Sequence, residues 1–173
     1  MKSSPDSPAD EAEEFGQLYE RTRTRLAAQL YAFTGDAQDG ADLVQEAFVR
    51  TWEKWNRVAR YDDPEAFIRR VAFNLAKNRL RMRHMLPASR SIAEARSATD
   101  PFEHEDLIAA LKTLSSQERK AVVLHYLADQ TITDVARDMK VPVGTIKSLL
   151  SRARSHLAPL LSIDEHEETT RHA

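Results

Sequence analysis

The stretch Thr131 to Arg154, TITDVARDMKVPVGTIKSLLSRAR, constrains this chain more than any other. Ile132, Val135, Ala136 and Met139 recur at helical spacing and form one apolar stripe. Pro142 marks a turn, where a missing N–H at a helix start costs little. Val141, Val143, Ile146, Leu149 and Leu150 then supply the apolar side of a second helix. Its other side carries Gly144, Thr145, Lys147, Ser148, Ser151, Arg152 and Arg154. Hydroxyls and cations on one helix face suit phosphates and base edges. The pattern reads as a helix-turn-helix, which places its second helix in the major groove of DNA. An ordinary helical hairpin in a core is the other reading, but it would not need so cationic an outer face. Lys140 stands where such turns often hold Gly, and a left-handed backbone there strains a lysine by about 1 kcal/mol.

The rest of the chain is helical in pattern. Gly is scarce, and no run alternates apolar and polar residues as a half-buried strand would. Residues 1–13 read as a disordered tail of Ser, Pro and acids with little to bury. A first helical block follows over 14–83. Phe15, Leu18, Tyr19, Leu26, Leu30 and Phe33 mark its first helix. TGDAQDGAD is a turn with Gly35 and Gly40 as breakers and Asp39 or Asp42 as helix cap. A helix from about Gly40 to Asn56 buries Leu43, Val44, Ala47, Phe48, Thr51, Trp52 and Trp55. Another runs from Pro64 to Arg83 with Phe67, Ile68, Val71, Ala72 and Leu75 inward. Residues 84–102 read as a linker. The second block, 103–161, has helices at Glu105–Leu114, Gln117–Ala128, Thr133–Lys140 and Val143–Leu157. Ser115 or Ser116 with Glu118 resembles a capped start. Residues 162–173 form an acidic tail. The expected class is all-α: two small helical domains joined by a flexible linker, the C-terminal one a helix-turn-helix.

Net charge is only -2 over 173 residues, so bulk charge does not announce a nucleic-acid binder. Its distribution does. Seven cations and no carboxylate lie between Phe67 and Arg90, and five cations against one acid between Arg137 and His156. In FIRRVAFNLAKNRLRMRH, Asn74, Lys77, Asn78, Arg81 and Arg83 spread over one exposed helix side. Asn offers paired donor and acceptor groups to base edges, while Lys and Arg hold phosphates. Tyr61, Phe67 and Phe73 could stack on an unpaired base, with core positions the other reading for Phe67 and Phe73. In ADLVQEAFVRTWEKW, Asp42, Gln45, Glu46, Arg50 and Glu53 face outward beside Phe48 and Trp52. That is either a solvated amphipathic helix or a face for a partner protein.

Several function classes are poorly served. There is no Cys, hence no disulfide or thiolate metal site, in keeping with a reducing cytoplasm. No apolar run approaches the roughly 20 residues that span a bilayer, and MKSSPDSPADEAEE lacks the apolar core of a signal peptide. The carboxylates are scattered, the six His show no ligand spacing, and no Gly-rich phosphate loop exists. No catalytic residue, metal or cofactor is therefore expected. A DNA-binding regulator whose first block holds a ligand or forms a dimer fits these residues too.

The combination resembles the extracytoplasmic-function (ECF) group of bacterial RNA polymerase sigma factors, over roughly Phe15 to Leu161. DLVQEAFVRTWEKW resembles the region two helix that grips the β′ clamp helices of the polymerase, which implies that Asp42, Gln45, Glu46 and Trp52 contact polymerase. AFIRRVAFNLAKNRLRMR resembles the part that melts and reads the minus-ten element, which implies roles there for Asn74, Lys77, Asn78 and Arg81. LSSQERKAVVLHYLADQTITDVARDMKVPVGTIKSLLSRARSHL resembles region four, which binds the minus-thirty-five element and the β flap. The implied minus-thirty-five contacts are Gly144, Thr145, Lys147, Ser148, Ser151, Arg152 and Arg154. The words TGD, DLVQEAF and DPEAFIRRV are most similar to the actinobacterial branch. The resemblance implies a cytoplasmic protein whose partners are core RNA polymerase and promoter DNA. Members of the group are often held by an anti-sigma protein, a partner the sequence itself does not show. Leu149 departs from an Arg usual in the group's GT-V-K-S-R-L pattern, which puts one DNA contact in question, and Lys140 departs from the turn Gly.

Overall fold

The structure, a computed structural model, describes residues 8–85 and 105–161. The chain divides into two compact units, 1–100 and 101–173. Among the described residues every regular element is helical. Most of the proposed linker, the acidic tail and residues 1–7 lie outside the described residues.

In the N-terminal unit, α1 (Pro8–Thr34), α2 (Ala37–Trp52) and α4 (Pro64–Met85) pack on one another, with the single turn α3 (Trp55–Val58) between. The core joins Leu18, Leu26, Leu30 and Phe33 to Leu43, Val44, Ala47 and Phe48, and to Ile68, Ala72, Phe73 and Ala76. Helix α1 begins at Pro8, so residues 8–13 are helical where a disordered tail was expected. Pro8 suits a first helical position, Asp10 and Glu11 favour the positive helix N-terminus, and Phe15 anchors the turn after them. Its ring lies 5.6, 4.9 and 5.0 Å from those of Phe48, Trp52 and Trp55.

Helix α1 stops at Gly35, whose φ of 75° only Gly adopts freely, and the Gly35 N–H donates to the Tyr31 carbonyl at 2.7 Å. The cap of α2 is Asp36, not Asp39 or Asp42: its carboxylate accepts the Asp39 N–H at 3.0 Å. Gly40 is not a breaker. It lies within α2 where α1 crosses, and a Cβ there would stand 2.9 Å from the Ala27 carbonyl oxygen and 3.1 Å from the Tyr31 nitrogen. The α2 helix ends at Trp52, before the expected Asn56. Helix α4 starts at Pro64 as the sequence indicates, with Asp63 accepting the Ala66 N–H at 2.9 Å, and runs on through His84 and Met85, the first two residues of the expected linker.

The C-terminal unit contains α5 (Glu105–Lys112), α6 (Ser116–Val122), a π-helical turn (Val123–Leu127), α7 (Ile132–Met139) and α8 (Val143–Leu161). Helices α5, α6 and α7 all pack on α8. Ser115 and Glu118 form a capping box at α6. The expected helix over Gln117–Ala128 widens after Val122, and the Ala128 N–H reaches back five residues to the Val123 carbonyl at 3.0 Å.

Lys140 ends α7 at φ 57° and ψ 46°, the left-handed conformation anticipated for it. The Lys140 N–H donates to Arg137 and the Val141 N–H to Ala136, a Schellman pair that satisfies the last carbonyls of α7. Lys140→Gly therefore removes strain from a backbone that the capping bonds enforce. We expect a gain of about 0.5–1 kcal/mol after the extra chain entropy of glycine is deducted. Thermal unfolding of the full chain checks this, and an unchanged or lowered midpoint would show that the turn carries no strain.

Candidate nucleic-acid and protein interfaces

Helix α8 turns its apolar side inward through Ile146, Leu149, Leu150, Ala153 and Leu157, all buried. At 100° per residue the opposite side divides into three rows. Gly144, Ser148 and Ser151 run along the middle, Lys147 and Arg154 along one flank, Thr145 and Arg152 along the other, and all seven are exposed. A Cβ at Gly144 would meet nothing within 4 Å, so internal packing does not demand glycine there. Leu149, the departure noted above, is a core residue: position 149 lies on the packing side of α8, away from the exposed rows. Val143, expected inside, is exposed.

The cations of α8 differ in how they are held. Lys147 has no partner among the described residues. Arg154 Nη1 donates to the Tyr126 hydroxyl at 3.2 Å. Arg152 Nε donates to Glu118 Oε1 at 3.3 Å. Glu118 is buried, and its other oxygen accepts the Ser115 hydroxyl at 2.8 Å and the Ser115 N–H at 3.1 Å.

These bonds hold the Glu118 carboxyl below its ordinary pKa, the Ser115 hydroxyl foremost, against burial, which raises it. A lowered folded pKa means that the unfolded chain takes up the proton first as pH falls. The stability from Glu118 is thus complete above the ordinary glutamate value near pH 4.3 and is lost as pH drops through the lower folded value. Glu118→Ala should destabilise the C-terminal unit by about 1–2 kcal/mol at pH 7. Urea unfolding across pH should find that gap narrowing only below about pH 4.3; a gap constant to pH 3 would contradict the assignment.

On α4, Asn74, Lys77, Asn78 and Arg81 are exposed at spacings of three, four and seven, one continuous row. Ile68, Ala72, Phe73 and Ala76 occupy the buried side. The cationic block is not all available. Arg79 pairs with Asp39 at 3.1 Å and Glu46 at 3.6 Å, and Arg83 with Asp39 at 2.5 Å. Arg83 is exposed, as read, and also ties α4 to the start of α2. Phe73 is 1% exposed and lies 5.4 Å from Phe33, so it is a core residue and not a stacking platform. Tyr61 and Phe67 form a partly exposed edge-to-face pair 5.6 Å apart.

On α2, Asp42, Gln45 and Trp52 share one exposed face. Trp52 is 44% exposed although its ring rests on Phe15. Glu46, one turn after Asp42, is half-exposed and is engaged by Arg50 at 2.6 Å and by Arg79 at 3.6 Å, unlike the other three. Val49 completes the row and is 62% exposed. The sequence reading missed it, although its positions four after Gln45 and three before Trp52 gave the signal. Among the described residues no helix is long and apolar enough to cross a membrane, and no three His, Asp or Glu gather as metal ligands.

Residues 18–85 match the family description "Sigma-70 region 2", and residues 104–157 match "Sigma-70, region 4". The chain is 31% identical over 148 residues to an RNA polymerase sigma-E factor of Streptomyces antibioticus, covering 82% of each chain. It is 31% identical over 149 residues to the ECF RNA polymerase sigma factor EcfG of Rhodopseudomonas palustris, covering 83% of this chain and 82% of that one. Its structure is similar to that of the sigma factor RpoE in complex with the anti-sigma factor NepR from Bartonella quintana. That match has a TM-score of 0.72 and 25% identity and covers 88% of this chain and 99% of the other.

Proposed function

The chain belongs to the sigma-70 family as an ECF-type RNA polymerase sigma factor, and from that premise we propose how its exposed rows divide the work of starting transcription. A sigma factor makes and breaks no bonds; it supplies binding. Asp42, Gln45 and Trp52, joined by Val49, dock on core RNA polymerase at the β′ clamp helices, with an aromatic anchor among polar groups. Glu46 contributes by holding Arg79 and Arg50 in place and makes only a peripheral contact.

The α8 rows, Gly144, Thr145, Lys147, Ser148, Ser151, Arg152 and Arg154, read the minus-thirty-five duplex from the major groove. The α4 row, Asn74, Lys77, Asn78 and Arg81, captures the unpaired minus-ten strand, which offsets the few kcal/mol that unstacking costs. The Tyr61 and Phe67 pair at the start of α4 is the aromatic surface available to a flipped base. The C-terminal unit also meets the β flap. The protein acts in the cytoplasm, where core polymerase is, and the complex formed by the similar RpoE makes an anti-sigma protein a reasonable further partner.

The observation that carries this reading is the separation of three exposed rows onto α2, α4 and α8, each backed by a buried apolar face. Run-off transcription with purified core polymerase on a pool of promoter fragments tests it. Transcripts that depend on the added chain are expected. Absence of polymerase binding would sink the reading and leave a free-standing DNA-binding regulator.

A further inference from the structure

The two α8 arginines are gripped, from α6 and from the π-helical turn after it, in unlike ways. Tyr126 is 52% exposed, so its bond to Arg154 competes with water. Glu118 is buried and locked by Ser115, so its free oxygen is a fixed point. Arg152 meets that point through Nε alone. Its side chain is still 60% exposed, and its terminal nitrogens make no hydrogen bond among the described residues. A guanidinium held at Nε keeps both terminal nitrogens pointing outward in one plane. That is the fork that takes the O6 and N7 of a guanine, or two oxygens of one phosphate.

We propose that Glu118 is a positioning residue for promoter recognition: it fixes the plane of Arg152 so that this arginine reads a base in the minus-thirty-five element. The assignment rests on the reading of α8 given above. A flexible arginine must be ordered at the moment of binding, and Glu118 removes that cost beforehand. The carboxylate also offsets part of the cation's charge, so Arg152 gains geometry at the expense of general attraction for phosphate. A residue that only stabilised the fold would affect all sequences alike; this one discriminates.

The test uses the full chain bound to core polymerase, selecting from a pool of duplexes randomised across the upstream promoter element. Wild type, Glu118→Gln, Arg152→Lys, Arg152→Ala and the double variant E118Q/R152A are compared. Gln keeps the capping box, which accepts either residue at this position, so E118Q should fold. Its midpoint of thermal unfolding is measured alongside. E118Q should lose about fivefold preference at one base pair, the same pair that R152A relaxes, with no fall in affinity for unrelated duplexes. R152K should behave as E118Q does, keeping the charge without the fork. Once Arg152 is gone, E118Q should change nothing further. Unaltered base preference in E118Q would overturn the proposal, and so would a uniform loss across all positions or an effect that persists without Arg152. Failure of the wild-type complex to select any sequence would overturn the reading of α8 itself, and the positioning role with it.

Discussion

Replacing Gly40 by valine should unfold the N-terminal unit. Glycine inside a helix ordinarily costs about 0.8–1 kcal/mol relative to alanine, so substitution in α2 would be expected to help. Contact reverses the sign. The first added carbon meets the backbone of α1, a carbonyl oxygen at 2.9 Å and an amide nitrogen at 3.1 Å, and neither can swing aside as a side chain could. The two helices must part, and the contacts of Leu30, Leu43, Val44 and Ala47 loosen together. Overpacking of this kind costs about 1–3 kcal/mol for one carbon and more for a branched side chain. A small domain has only about 5–15 kcal/mol in total. Gly40→Ala should thus destabilise by up to about 2 kcal/mol net of its propensity gain, and Gly40→Val should abolish the cooperative transition of this unit. Gly16→Ala is the control: it is also helical, nothing lies within 4 Å of its added carbon, and it should stabilise by about 0.5–1 kcal/mol. Circular dichroism melts of the three variants decide the matter. A Gly40→Ala chain as stable as Gly16→Ala would mean that the crossing is looser than 2.9 Å.

The second large effect is electrostatic. Lys147 and Arg154 lie along one flank of α8, where one strand of a duplex would pass. On the proposed reading of α8, reversing both, Lys147→Glu with Arg154→Glu, removes two phosphate contacts and adds two repulsions. Binding to the upstream promoter duplex should fall by at least about a hundredfold near 0.1 M salt, and the slope of log affinity against log salt should become shallower by about 2. Neither side chain is buried, so the thermal midpoint should hardly move. Fluorescence anisotropy of the full chain with core polymerase, titrated at several salt concentrations, reads both numbers. An unchanged slope would place this flank away from the DNA.

How much of this the sequence could reveal depended on the range of the interaction responsible. Features set by neighbours along the chain were legible. The capping box at Ser115, the start of α4 at Pro64 and the left-handed Lys140 each follow from a few adjacent residues. The exposed row of α4 was legible because a helix repeats its faces every three to four residues. What escaped was decided at a distance. Gly40 looked like a punctuation mark because its reason for being small lies in α1. Asp39 looked like a cap, yet it is the acceptor for two arginines forty and more residues away, while Asp36 does the capping. Composition made residues 8–13 a tail; Pro8, Asp10 and Glu11 are local start signals, but the anchor that holds this end of α1, the contacts of Phe15, lies in α2 and α3. The cations of α4 read as one patch in the sequence, but the acids of α2 engage Arg79 and Arg83 and leave Lys77 and Arg81 exposed without them.

That division gives α4 two kinds of positive charge with different sensitivities to the medium. Ions in solution screen exposed charges strongly and partly buried pairs much less. If Lys77 and Arg81 hold a nucleic-acid strand as proposed, they lose that hold as ionic strength rises, while Arg79 and Arg83, seated against Asp39 whose side chain is 11% exposed, keep α4 fastened to α2. The same helix can let go of its ligand without letting go of its own domain, so release and refolding are separate events, and a protein that must leave one promoter to find another is spared rebuilding itself on each cycle.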